Sequence, residues 1–148
     1  MTMQQQAPGT QPGALPRSGS FAMSEVLPLI QRASRELTEL RNEWRRLRDA
    51  AAQAKADAKR IRAGLMVRLR VFGNDDTNGA PMKTAVERGE WADADSNVQN
   101  AELAADLAQS ASMDARAALD HAEEYFGTLR SMLGIERDDL QGQRQIPN

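Results

Sequence analysis

Apolar residues recur through the first half of the chain at Ile30, Ala33, Leu37, Leu40, Trp44, Leu47, Ala51, Ala54, Ala58, Ile61 and Leu65, in alternating steps of three and four. That spacing keeps one stripe on one side of an α-helix and predicts a seam packed lengthwise against a second helix. The series runs on less regularly to Leu69 and Phe72, with four-residue steps that locally relax supercoiling. A second series has the same alternation: Trp91, Ala94, Val98, Ala101, Ala105, Ala108, Ser112, Ala115, Leu119, Ala122, Phe126, Leu129 and Leu133. The stretch between them, from Gly73 to Pro81, holds two glycines, two aspartates, an Asn-Gly pair and a proline, and predicts a turn.

The expected fold is therefore all-α: a long antiparallel two-helix hairpin of coiled-coil type, with a helix over 24–72, a turn over 73–81 and a helix over 82–134. Ser24 or Leu27 caps the first helix, and Pro28 is tolerated if it falls in the first turn. Gly64 lies inside that helix and costs roughly 1 kcal/mol relative to alanine. Thr84 with Glu87 fits a capping box for the second helix, and Pro81 at a first helical position is an equal alternative. Residues 1–23 are rich in Pro, Gly, Gln and Ser without apolar period, and are expected to be a disordered tail; 135–148 is expected to be a loose polar tail.

The two seams are complementary in size when read antiparallel. One register pairs Val26 with Leu133, Ala33 with Phe126, Leu37 with Ala122, Trp44 with Ala115, Ala58 with Ala101 and Leu65 with Ala94, so large residues meet small ones. The middle layers are almost all alanine, which brings the helices close. A slip of one heptad satisfies the same rule with a shorter turn, so the pattern leaves both registers open.

Composition agrees with this picture and limits the chemistry. Hydrophobic residues make up 41% of the 148, but only three Phe, two Trp and one Tyr are among them, so the core is thin. Helix formers dominate and β-branched residues are scarce. Cysteine is absent, which excludes disulfides, thiolate metal sites and cysteine nucleophiles. No apolar run approaches a membrane span and no signal-peptide pattern opens the chain, so a cytoplasmic protein without membrane association is expected.

Charge is partitioned between the arms. Twelve Lys or Arg stand against six acids over 24–72, and four against ten over 82–134, giving arms of +6 and −6. In the first register Arg62 faces Asp95 and Lys55 faces Glu102. Exposed pairs of this kind contribute only ~0.2–1 kcal/mol each and set orientation more than stability.

Two surfaces are candidates for function. Arg41, Arg45, Arg48, Lys55, Lys59 and Arg62 lie on one helical stripe, with Arg46 and Arg60 beside it, and such a row can track phosphates of nucleic acid or meet a partner. Weighing against nucleic acid are a net charge of −2 and few aromatics for base stacking, and a solvated coiled-coil flank explains the stripe as well. On the second helix Leu103, Ala104, Leu107, Ala111, Ala118 and Tyr125 form an apolar row beside the seam. One partner helix cannot cover both rows, so self-association into a dimeric or larger helical bundle is expected.

Little points to catalysis. His121 is the single histidine and has Asp120, Glu123 and Glu124 near it in sequence, but these carboxylates point different ways around a helix, so a surface residue is expected rather than a metal or acid-base site. Trp44 and Trp91 occupy seam positions and are read as core. Asp75 and Asp76 in the turn lack the spacing of a calcium loop. No phosphate loop or nucleophile elbow occurs, and neither an enzyme nor a bound cofactor is expected.

The layout over about 24–140 resembles a class of small phage and prophage proteins. The resemblance lies in the long first helix, the short Gly-containing turn, the segment KTAVERGEW from Lys83 to Trp91, and the closing segment FGTLRSMLGIERDDL from Phe126 to Leu140. It implies a non-enzymatic accessory protein near homologous recombination or replication functions, in a host cell cytoplasm, with a phage protein or DNA as partner. A virion assembly component, such as a scaffold or connector-associated helical protein, is the alternative. A WXG-type secretion substrate is excluded because the turn carries no Trp-x-Gly.

Overall fold

The computed structural model describes residues 23–144, and these are helical apart from one connection and one break, with no strand among them. Of the tail expected over 1–23, residues 1–22 lie outside the described residues, as do the last four of the chain, while Met23 already belongs to a helix. Helix α1 spans Met23–Phe72, α2 spans Ala85–Ala94 and α3 spans Ser96–Arg144; a single 3-10 turn, Asp75–Thr77, sits in the connection. None of these helices is long and apolar enough to cross a membrane.

Helix α1 begins at Met23, ahead of both cap candidates, so Pro28 falls inside the helix rather than in its first turn. Its ring removes one backbone donor there, and its own side chain is exposed. At the other end Gly73 adopts φ 63°, and its N–H donates to the Leu69 carbonyl at 3.1 Å; the left-handed residue after the last turn is what a helix stop requires. A side chain could not stand at this position, because a Cβ would collide with the Ala80 carbonyl and the Thr77 hydroxyl.

The connection is closed by local hydrogen bonds. Asn74 N–H donates to Thr77 Oγ1 at 2.9 Å, Thr77 N–H donates to Asn74 Oδ1 at 3.0 Å, and Thr77 Oγ1–H donates to the Asn74 carbonyl at 2.9 Å. The Met82 N–H then returns to the Leu69 carbonyl at 3.0 Å, and Arg88 Nη1 donates to the Met82 and Lys83 carbonyls, both at 2.8 Å. The turn therefore extends to Thr84, beyond the expected stop at Pro81. Thr84 is the N-cap, its Oγ1 accepting from Glu87 N–H at 3.3 Å, so the helix starts from Thr84 and not from Pro81.

The helix expected over 82–134 is two helices. Asp95 has ψ 127°, an extended conformation, and its Oδ1 accepts from the N–H groups of Asn97 and Val98 at 2.9 and 3.0 Å. It stops α2 and caps α3 with one side chain. The loose tail expected from 135 is also corrected: α3 continues to Arg144.

The chain forms two compact units, one from residues up to Glu39 together with those from Leu119 onward, the other from Leu40–Ala118. The core of the first is Val26, Ala33 and Leu37 of α1 with Leu119 and Leu129 of α3, all buried, and half-buried Ala122, Phe126 and Leu133 beside them. The core of the second is Ala51, Ala58 and Leu69 of α1, Met82 of the connection, Ala92 of α2, and Val98 and Ser112 of α3. Small side chains dominate the second core, which limits how much apolar area burial can contribute.

Two seam assignments shift. Ile61 is 41% exposed, and half-buried Arg62 takes its place between Ala58 and Leu65. The helix turns through 3.6 residues rather than 3.5, and the accumulated drift is absorbed as a four-residue step. Trp91 is 39% exposed and Ala94 is exposed as well, while Ala92 is fully buried, because the break at Asp95 frees α2 from the phase of α3. From Val98 to Leu133 each seam position is buried or half-buried. Phe72, expected at the end of the first seam, is 67% exposed.

Candidate functional site

The basic stripe lies within the Leu40–Ala118 unit, on α1. Arg41, Arg45, Arg48, Lys55 and Lys59 are exposed, and Arg62 is half-buried. The row is partly neutralised from within the unit. Arg62 Nη1 lies 2.7 Å from Asp93 Oδ1 and 3.2 Å from Glu102 Oε1, so one guanidinium ties α1 to both α2 and α3. These contacts, the hydrogen bond to Asp93 first, raise the Arg62 pKa and keep it cationic. The pairing expected with Asp95 is replaced because Asp95 is occupied in capping α3.

Arg48 is engaged with its neighbours: Nε and Nη2 donate to Asp49 Oδ1 at 3.1 and 2.9 Å, and the guanidinium lies 5.2 Å from the Trp44 ring centroid. The Arg116 guanidinium of α3 lies 5.1 Å from the same ring. Trp44 is thus half-buried between two cations rather than enclosed in the core, and its ring face attracts their positive charge. Beside the stripe, Arg46 makes two hydrogen bonds to Glu43 at 2.9 and 2.6 Å, and Arg60 is bonded to Asp57. The Arg46 hydrogen bond is the main cause of a Glu43 carboxyl held below the usual range.

Lys55, Lys59 and Arg62 line a shallow open cleft whose other wall carries Glu102 and Asp106, with Ala58 and Ala105 also lining it. Trp44 beside Arg116 and Ala58 beside Ala105 show α1 and α3 running antiparallel within this unit. Arg45, Lys55 and Lys59 make no hydrogen bond or ion pair among the described residues.

The apolar row of α3 is divided. Leu103 and Leu107 are 58% and 63% exposed, and Ala104 and Ala118 are exposed, whereas Ala111 is half-buried. Tyr125 belongs to the other unit, where it is half-buried and lines an open cleft with Ala33, Glu36, His121 and Ala122. That cleft brings Glu36 of α1 beside His121, a neighbour that sequence adjacency on α3 could not indicate. Glu36 accepts from Arg32 Nε at 3.2 Å, and among the described residues no three His, Cys, Asp or Glu side chains converge as a metal set would.

Comparison with family models, with curated proteins and with solved structures finds no match for this chain.

Proposed function

We propose that this chain is a non-enzymatic helical interaction protein, its helices closing into one long antiparallel hairpin and its copies associating into a larger helical bundle. The observation that carries this reading is the uncovered apolar pair Leu103 and Leu107 above a core rich in small side chains. A unit with so few large buried side chains gains most from covering such residues with another helix. Light scattering on the full chain tests it: a mass well above the 16.3 kDa protomer is expected, and a monomer at high protein concentration refutes it.

The setting that the resemblance suggests is phage DNA recombination or replication, with the basic stripe contacting DNA or a recombination protein. Exposed Arg45, Lys55 and Lys59, unengaged among the described residues, support the contact. A gel shift with single- and double-stranded DNA is expected to weaken steeply as salt rises and to vanish in Arg45→Glu with Lys55→Glu and Lys59→Glu. Absence of any shift at low salt removes DNA from the proposal and leaves a protein partner for the stripe.

A further inference from the structure

The end of α1 carries a surface that the seam does not explain. Val67 and Val71 are 62% and 52% exposed and stand two residues before and after buried Leu69. At 3.6 residues per turn, two residues are just over half a revolution, so both valines point away from the seam. Arg60, Arg68 and Arg70 are exposed around them, and no acidic residue occurs from Arg60 to Phe72. On α3 the geometry repeats with the opposite charge. Leu103 and Leu107 stand two residues before and after Ala105, which lines the cleft against Ala58, and exposed Glu102, Asp106 and Asp114 accompany them.

Each strip is an apolar pair one helical turn apart, and the two differ in the sign of the surrounding charge. Both face away from the α1–α3 seam, so within one chain they cannot meet. Pairing either strip with its own copy would set like charges together. Pairing the α1 strip of one chain with the α3 strip of another covers four large apolar side chains and sets Arg against Asp and Glu. We infer that copies of this chain associate head to tail, the strip around Val67 and Val71 on one copy docking on the strip around Leu103 and Leu107 of the next. Because the two patches differ, the contact is heterologous, and repetition gives a ring or an open chain rather than a dimer that stops growing. The inference rests on the self-association proposed above and specifies its mode.

Sedimentation of mixed variants tests it. The wild type is expected to form species that grow with concentration and dissociate as salt screens the flanking charges. Val67→Asp with Val71→Asp, and separately Leu103→Ser with Leu107→Ser, are each expected to sediment as monomers with unchanged helical circular dichroism. An equimolar mixture of the two is expected to give a dimer, since one intact strip remains on each partner. Should either pair lose helicity, the charge set takes its place. Arg68→Glu with Arg70→Glu, and Asp106→Arg with Asp114→Arg, are each expected to abolish association alone and to restore it when all four are combined in one chain. Wild-type association that survives these changes overturns the head-to-tail contact and leaves self-association through another face. A wild type that stays monomeric overturns both.

Discussion

At the residue scale Gly64 inside α1 and Gly73 just past its end play opposite parts. Gly73 has a left-handed backbone and no room for a Cβ, so Gly73→Ala is expected to destabilise by about 2 kcal/mol or more in urea unfolding. Gly64 is helical with open space around it, and Gly64→Ala is expected to stabilise by up to ~1 kcal/mol in the same assay. The sequence marks both as glycine but only the local geometry separates them, although position just before an Asn-Asp-Asp run already singles out Gly73 as the stop. Glu43 supplies a pH signature. Its pKa is lowered in the folded chain, chiefly by the hydrogen bond from Arg46, so its contribution is present above the unfolded value and is lost as pH falls through the folded one. Thermal unfolding of Glu43→Gln is expected to lie slightly below wild type at neutral pH and to converge with it in acid; a constant gap would show that the pair does not titrate as a unit.

At the scale of elements, caps decide where helices stop, and they are short-range enough to be seen in sequence only where nothing competes. Thr84 with Glu87 was legible because a polar loop precedes it. Asp95 was not, since Trp91, Ala94 and Val98 continue the seam straight across it and hide an aspartate that spends its carboxylate on two backbone donors. Asp95→Ala is expected to cost ~1 kcal/mol, read by chemical denaturation, and to raise the exchange rates of the amides of Asn97 and Val98. If those rates stay as in wild type, the break is held by something other than this cap. The extension of α3 past Leu133 was missed for a related reason: the segment after Gly134 has no apolar period, and a polar run of good helix formers reads equally well as a tail.

At the scale of the whole molecule, each unit is held by few large side chains, and close approach of small ones matters accordingly. Ala51 is buried at 4% exposure, so Ala51→Glu is expected to destabilise by several kcal/mol, because a carboxylate there finds no designed partner. Ala52→Glu, one position along and exposed, is the control and should be nearly silent in thermal unfolding. Charge separation adds a second test. With arms of +6 and −6 and Arg62 joining α1 to Asp93 and Glu102, the melting temperature is expected to fall modestly as salt rises through the range where the screening length drops to ~10 Å. A rise instead would show that repulsion within each arm outweighs attraction between them.

What the sequence determined by itself is helicity, the span of α1, the site of the turn and the buried face of α3 from Val98 to Leu133, because each follows from interactions within a few residues or from a period that one face must satisfy. The replacement of Ile61 by Arg62, the exposure of Trp91 beside buried Ala92, and the placing of Glu36 and His121 along one cleft were decided by tertiary structure. They depend on how drift along one helix is matched by its neighbour, and a repeating pattern of apolar positions is the same whichever neighbour it meets.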